Sequence, residues 1–174
     1  PPKQAKLNPF PASSPFEVLS IDITGPHPRS RDGNEYILTA VDIFSKWAEA
    51  MPIRQHTAVI VAKKLVDNVF SKFGVPLRIL SDQGPEFESA LMAELCRVHG
   101  IDKIRTTSYK ASTNGTCERF HRTLNSMLAK VVSESQRDWD RHVNPVMAAY
   151  RATVHRSTGY TPNFLVLGRE NRAP

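Results

Sequence analysis

The chain has 174 residues, of which 40% are hydrophobic, and 23 basic residues against 17 acidic ones give a formal net charge of +6. This size and composition exclude a disordered chain, predict one ordinary domain with short extensions, and permit a polyanion such as nucleic acid as partner. Two isolated cysteines without zinc spacing predict reduced thiols in an intracellular protein, and no apolar run approaches the roughly 20 residues that cross a bilayer.

The first half of the chain predicts three consecutive strands. Residues 16–24 form an apolar, β-branched run that ends at Gly25, and their apolar density favours a central strand covered on both faces. Residues 36–42 and 47–53 predict two further strands, and Pro52 places the last one at an edge of the sheet. Because the connecting turns are short, the three strands are expected to form an antiparallel meander.

The second half alternates helical and strand patterns. Apolar residues recur at helical spacing from 57 to 73, and Leu91, Leu95 and Val98 are expected to face inward from a second helix. A strand, a helix and a further strand predict parallel crossovers, so the fold class is α/β: a mixed five-stranded sheet, three strands antiparallel and then two parallel, flanked by helices. The predicted elements are helix 57–73, strand 77–80, helix 88–99, strand 102–107, loop 108–113, a helix from Asn114 or Thr116 to about Ser133, helix 138–150 and a turn-rich tail.

Three carboxylates occupy positions that this fold can bring together. Asp22 lies late in the first strand and Asp82 follows the fourth, and ligands of open α/β sheets collect outside the carboxyl ends of strands. Glu118 lies on a helix about 200° around from Phe120, so it points away from the apolar ridge. That ridge is predicted to contain Phe120, Leu124, Leu128 and Val131.

The chemistry of these side chains favours a divalent metal. Mg²⁺ prefers oxygen ligands, whereas His and Cys ligands suit zinc. Two such ions about 4 Å apart can activate the attacking oxygen and stabilise the leaving oxygen in phosphoryl transfer. Without a cation, three adjacent carboxylates would repel one another and raise the pKa of at least one. Asp42 also ends a strand and is interpreted as a turn residue.

The segments around the three carboxylates resemble the catalytic core of retroviral and LTR-retrotransposon integrases, most closely those of the gypsy class. They follow the family's order over nearly the whole chain after residue 15, and the 35 residues between Asp82 and Glu118 match the family's spacing. The matching segments are DITGP at 22–26, DIFSKW at 42–47, FGVP at 73–76, SDQGPEF at 81–87, TNGTCERFHRTL at 113–124 and TGYTPNFLVLGRE at 158–170.

The resemblance implies an RNase H-like fold with Asp22, Asp82 and Glu118 as the catalytic, metal-binding triad. It implies Mg²⁺ or Mn²⁺ as cofactor, with two ions when DNA is bound. Members of the family trim the 3′ ends of element DNA with water and then join those ends to target DNA by transesterification. The residues that would contact DNA by family position are Tyr109, Ser112, Asn114, Arg119, His121, Arg122 and Asn125.

The resemblance also implies an organisation and a setting. Residues 1–14 are interpreted as a linker or arm, 15–155 as the catalytic core and 156–174 as its C-terminal extension. The expected partners are element and target DNA and further copies of the chain, as a homodimer or higher homo-oligomer, with no membrane. The full-length protein is expected to carry an N-terminal zinc-binding domain and a C-terminal domain, and to act in the nucleus or in a virus-like particle.

Two departures from the family pattern leave alternatives open. The moving loop, residues 109–115, has Lys110-Ala111-Ser112 where relatives usually have His-Pro-Gln, and Cys117 replaces a small or apolar residue. The intact triad favours an active polynucleotidyl transferase with endonuclease activity. The altered loop leaves room for a domesticated or inactive core that binds DNA or assists assembly. A nuclease of the same fold that only hydrolyses DNA is the third reading.

Overall fold

A five-stranded sheet forms the centre of the protein, as seen in a computed structural model that describes residues 12–106 and 111–172, with only the backbone described at 111–114. The strand order is β3-β2-β1-β4-β5; β1–β2 and β2–β3 pair antiparallel, while β1–β4 and β4–β5 pair parallel. The predicted mixed sheet is confirmed, with Asp22 on the central strand and Pro52 on an edge strand. The strands are β1 Val18–Thr24, β2 Tyr36–Asp42, β3 Ala48–Ile53, β4 Arg78–Ser81 and β5 Asp102–Arg105.

Helices cover both faces of this sheet. Several begin where the sequence supplies a cap: the hydroxyls of Thr57, Ser89 and Thr161 each accept a hydrogen bond from the backbone N–H three residues later. The helical segments are α1 Ala58–Leu65, a π-helical turn Val66–Phe70, α2 Ser71–Phe73, α3 Ala90–His99, α4 Ala111–Ala129, α5 Trp139–Arg151 and α6 Pro162–Leu167. Within the described ranges, no helix is both long and apolar enough to cross a membrane.

The alternation of side chains along the strands divides the core into two layers. Leu38 and Ala40 of β2 pack toward α1 and α3, whereas Ile37 and Val41 of the same strand pack toward α4 and α5. Buried residues of the second layer include Phe120, Leu124, Leu128, Trp139, Val143 and Met147. The layer under α4 and α5 therefore anchors the helix that carries Glu118.

Two helix predictions were wrong in their details. In α3, Met92 and Cys96 are the buried residues, while Leu91 and Val98 are 43% and 62% exposed. The face of α3 that packs against the sheet is therefore rotated by about one residue from the predicted apolar stripe. Helix α4 ends at Ala129, so Val131 lies beyond it and is 47% exposed instead of completing the apolar ridge.

The boundaries of α4 and α6 also differ from expectation. Residues 111–113, predicted as loop, already belong to α4, since packing further along a helix overrides the weak helix propensities of Ser, Thr and Asn. Helix α6 was missed in a tail predicted to contain only turns. Its signals were present: Thr161 caps it, Pro162 occupies its first turn, and Gly168 ends it in the left-handed conformation.

Candidate active site

The two aspartates of the predicted triad are brought together by the parallel pairing of β1 with β4. In this pair Ser20 lies opposite Leu80, and Asp22 and Asp82 each follow two residues later along neighbouring strands. Because the strands run in the same direction, both aspartates lie at the same end of the sheet. The register of two central strands thus places two carboxylates that are 60 residues apart in the sequence at one edge.

Helix α4 crosses β1 so that Glu118 lies near this edge. The Sγ atom of Cys117 is 2.9 Å from Oγ of Ser20, and Nδ1 of His121 is 3.7 Å from Oδ2 of Asp22. Glu118 lies between these two contacts in the helix, and its side chain is exposed. Contacts on either side of Glu118 therefore hold its turn of α4 against the strand that carries Asp22.

The Asp22 carboxyl is in an environment that disfavours its ionised form. Burial, together with the negative charges of Asp82, Glu86 and Glu118, raises its pKa to about 6, against the lowering effect of the hydrogen bond that Ile23 N donates to Oδ1 at 2.8 Å. The three predicted triad members are therefore close enough to interact electrostatically.

Glu86 is a fourth carboxylate at this edge that the sequence analysis did not single out. A Cβ atom at Gly84 would lie 2.9 Å from Oε1 of Glu86 and 3.1 Å from Oδ1 of Asp82, so a larger residue would crowd both carboxylates as they stand. Gly84 N also donates a 2.9 Å hydrogen bond to Oδ1 of Asp82. The signal for Glu86 was its place in the SDQGPEF segment, four residues after Asp82.

The donor set suits a hard divalent cation. Within residues 12–106 and 111–172, no three His, Cys, Asp or Glu side chains are already arranged to hold a metal ion. However, Asp22, Asp82 and Glu118 offer only oxygen ligands, and a cation would remove the penalty that burial and like charges impose on ionised Asp22. The side chains of Asp82 and Glu118 are exposed and therefore free to move toward Asp22.

His121, predicted to contact DNA, lies mainly against the protein. Its Nε2 atom is 2.8 Å from the hydroxyl of Thr39, a fully buried residue of β2, and its side chain is only 13% exposed. Burial, and secondarily His27, lowers the pKa of His121 to about 4, so its ring is neutral at pH 7. The Thr39 hydroxyl also donates to the backbone oxygen of Asp22 at 3.2 Å. Thr39 is thus a residue of this site that sequence reasoning missed.

The other predicted DNA contacts fall into two groups. Arg119, Arg122 and Asn125 are exposed on α4 and accessible to a ligand. Tyr109 and the side chains of Ser112 and Asn114 lie outside the part of the chain that the structure describes. Each of these DNA contacts stays a prediction.

Asp42, the other carboxylate at a strand end, is fully buried and structural. Its carboxylate accepts hydrogen bonds from Phe16 N and Ser45 N, both at 3.0 Å, and from the hydroxyl of Ser45. These donors stabilise the ionised form, although burial raises its pKa overall. Asp42 is therefore a turn residue, as interpreted from the sequence. Its carboxylate also connects the β2–β3 turn to the segment before β1.

Comparison with known proteins decides the family. A sequence profile described as the integrase core domain matches residues 12–111. The chain belongs to the integrase core domain family.

Relatives of this integrase core include Pol polyproteins and a retrotransposon integrase-like protein. The chain is 31% identical over 159 residues to a retrovirus-related Pol polyprotein from transposon 412 of Drosophila melanogaster, which covers 91% of the chain and 13% of that protein. It is 39% identical over 155 residues to the Gag-Pol polyprotein of baboon endogenous virus, covering 88% of the chain and 9% of the polyprotein. Human gypsy retrotransposon integrase-like protein 1 is 30% identical over 173 residues, covering 99% of the chain and 32% of that protein. The chain thus spans a minor part of each relative.

Solved structures show the same fold. The catalytic core domain of HTLV-2 integrase in complex with magnesium superposes with a TM-score of 0.72 at 20% identity, covering 90% of this chain and 99% of that one. The catalytic core domain of BIV integrase superposes with a TM-score of 0.69 at 26% identity, covering 88% of this chain and 95% of that one. The expected RNase H-like fold and the resemblance to integrases are confirmed.

Proposed function

We propose that this integrase core is a divalent-metal-dependent polynucleotidyl transferase that processes the 3′ ends of element DNA and joins them to target DNA by transesterification. The observation that carries the proposal is the shared register of Asp22 and Asp82 on adjacent parallel strands, with the Glu118 turn of α4 held against the same strand. Family membership supports the class of reaction.

In this proposal the triad carboxylates would hold Mg²⁺ or Mn²⁺, with two ions when DNA is bound. The metal supplies Lewis acidity, which activates the attacking oxygen and stabilises the leaving oxygen of the phosphodiester. Asp22 would be the most constrained of these ligands, because its backbone oxygen accepts a hydrogen bond from Thr39 and its Oδ1 accepts one from Ile23 N. Asp82 and Glu118 complete the set from exposed positions, and Gly84 keeps the space beside Asp82 free.

The surface beside the triad supports DNA as substrate. Arg122 and Asn125 lie one and two turns after Glu118 on the exposed side of α4, where a cation and an amide can contact phosphate oxygens. In the same proposal the chain assembles with further copies on DNA, in the nucleus or in a virus-like particle. Solved structures with this fold include dimeric and trimeric forms of the HTLV-2 integrase catalytic core and an intasome of simian T-cell lymphotropic virus.

The test is strand transfer and disintegration, the reverse joining reaction, by the purified chain with Mn²⁺. Asp82→Asn should abolish both activities while the protein stays folded and binds DNA. Asp102→Asn is the matched control, since Asp102 is 71% exposed at the opposite end of the parallel strands. A wild-type chain that binds DNA without cleaving it would be a binding module, and one that gives only hydrolysis products would be a nuclease. Activity retained by Asp82→Asn would remove the triad from the mechanism.

A further inference from the structure

A cleft of about 380 Å³ lies beside α4, away from the aspartates and between α4, the end of α5 and the segment that follows α5. Its floor is apolar and includes the buried side chains of Phe120 and Tyr150 together with Met127. Its rim is basic, with Lys46 from the β2–β3 turn, Arg119 from α4, and His155 and Arg156 from the segment after α5. We name this feature the basic cleft. Among the described residues that line it, none is Asp or Glu.

Two of these cations are held in place by their surroundings. Lys46 has a positive φ of 63°, and its backbone oxygen accepts a 2.8 Å hydrogen bond from the hydroxyl of Tyr150 in the cleft floor. The guanidinium of Arg119 lies across the preceding turn of α4, where a Cβ atom at Gly115 would be only 2.8 Å from Nη1. Gly115 leaves the space that the Arg119 guanidinium occupies along α4 at the cleft.

No carboxylate of the described residues is in salt-bridge contact with the cations of the basic cleft. In the described ranges, Lys46, Arg119 and Arg156 form no salt bridge, and the oxygens of nearby Asp42 are already occupied by Phe16 and Ser45. Burial lowers the pKa of Lys46, the charge of Arg119 lowers it further, and the Asp42 carboxylate opposes both effects in part. The pKa of His155 is lowered by burial and then by Lys46 and Arg119. An anion bound in the cleft would relieve this repulsion.

We propose that the basic cleft binds the phosphodiester backbone of a DNA strand, with a phosphate against Lys46, Arg119 and Arg156 and deoxyribose on the apolar floor. The inference rests on the proposed function, in which DNA is the substrate. A phosphodiester carries only hydrogen-bond acceptors, which match the ammonium and guanidinium donors of the rim. The backbone N–H groups of an acidic peptide would instead meet a mostly apolar floor and stay unpaired. Arg119 adjoins Glu118 in α4, so the cleft borders the helical turn that carries the predicted triad glutamate.

Two double variants with equal loss of charge test this inference. Lys46→Asn with Arg156→Gln removes two rim cations, and Asn tolerates the left-handed backbone at position 46. Lys64→Gln with Lys72→Gln is the matched control on α1 and α2, which cover the opposite face of the sheet. Binding of fluorescein-labelled duplex DNA is measured over a salt series in EDTA, with thermal melting to confirm that each variant folds.

The cleft variant should bind DNA about tenfold more weakly at 100 mM salt, and its slope of log affinity against log salt should fall in magnitude by about 1.8. The control should bind within twofold of wild type with an unchanged slope. Equal affinity and slope in the cleft and control variants would overturn the inference. A second result would also overturn it: the cleft variant binds DNA as tightly as wild type but no longer binds a polyglutamate peptide. That result would identify an acidic protein as the partner of the cleft.

This experiment is independent of catalysis. DNA binding in EDTA requires no metal and no triad carboxylate, so it can succeed even where Asp82→Asn leaves strand transfer intact and the proposed function fails. The converse outcome is strand transfer that depends on Asp82 while DNA binding does not depend on the cleft residues. That outcome would refute only the proposal that the basic cleft binds DNA.

Discussion

The hydroxyl of Thr39 and Nε2 of His121 are 2.8 Å apart, and this contact joins strand β2 to helix α4 directly above Asp22. The same hydroxyl donates to the backbone oxygen of Asp22, so it accepts from His121 and requires the histidine proton on Nε2. The other ring nitrogen of His121, Nδ1, then faces the Asp22 carboxyl at 3.7 Å. Thr39 therefore sets the orientation of a ring that borders the predicted metal ligand.

Thr39→Val, which keeps the side-chain shape and removes the hydroxyl, should lower kcat of strand transfer and leave KM for DNA unchanged. Loss of a hydrogen bond of about 1 kcal/mol corresponds to roughly fivefold in rate. Thr39→Ser should restore most of the activity, since it retains the hydroxyl. The double variant Thr39→Val with His121→Ala should be no slower than His121→Ala alone. Additive losses in that double variant would show that Thr39 acts independently of His121.

Both cysteines should resist alkylation in the folded protein. Cys96 and Cys117 are buried, and burial raises the pKa of both thiols, that of Cys117 to about 12. Only the thiolate reacts, so iodoacetamide at pH 8 should modify neither residue until the chain unfolds. Mass spectrometry with and without denaturant measures this directly. Rapid labelling of Cys117 under native conditions would contradict its 2.9 Å contact with Ser20.

Asp138 should make the free energy of unfolding depend on pH in the acid range. The ionised carboxylate accepts hydrogen bonds from Ser133 Oγ at 2.8 Å and His142 Nε2 at 3.0 Å, and these lower its pKa from the usual 3.8 to about 2. Because the pKa is lower in the folded state, the contribution to the free energy of unfolding is present above pH 4 and is lost as pH falls toward 2. Asp138→Asn should melt below wild type at pH 6.

The difference between wild type and Asp138→Asn should shrink steadily as the pH is lowered from 4 to 2. Ser133→Ala, which removes the largest contributor to the shift, should lose much of the same pH dependence. A melting-temperature difference that stays constant between pH 6 and pH 2 would show that the Asp138 carboxylate is not stabilised as an anion.

The core layer beneath α4 should determine the stability of the helix that carries Glu118. Leu124 is 2% exposed among buried residues of α5 and β2, so Leu124→Ala should cost about 2–5 kcal/mol in the free energy of unfolding. Val131→Ala is the matched control, because Val131 is 47% exposed and its truncation should cost less than about 0.5 kcal/mol. Urea denaturation of both variants measures the contrast. Equal losses would mean that α4 does not rest on this layer.

Much of the fold could be predicted from local patterns. The three strands of the meander, the crossovers and the edge position of Pro52 follow from β-branched runs, helical spacing and turn residues, which act over a few positions. The α3 face could not be predicted in this way. Leu91 and Val98 are as apolar as Met92 and Cys96, and only the docking of the helix onto the sheet decides which pair is buried.

The candidate site shows the same division. Asp22, Asp82 and Glu118 were proposed from strand ends, a helical wheel and the resemblance of the surrounding segments to integrases, all of which are local signals. Thr39 and Glu86 were not, since each depends on strand register or on a turn that brings distant residues together. The basic cleft likewise gathers Lys46, Arg119 and Arg156 from three separate segments, and no local pattern links them.

The central claim is that Asp22, Asp82 and Glu118 converge on divalent metal. Anomalous diffraction from a crystal of the chain soaked in Mn²⁺ tests it most directly. We expect an anomalous peak about 2.2 Å from carboxylate oxygens of Asp22 and Asp82, and with DNA bound a second peak about 4 Å away that Glu118 also contacts. Saturating Mn²⁺ that binds elsewhere on the protein, with the three carboxylates ordered and bound to no metal, would contradict the account.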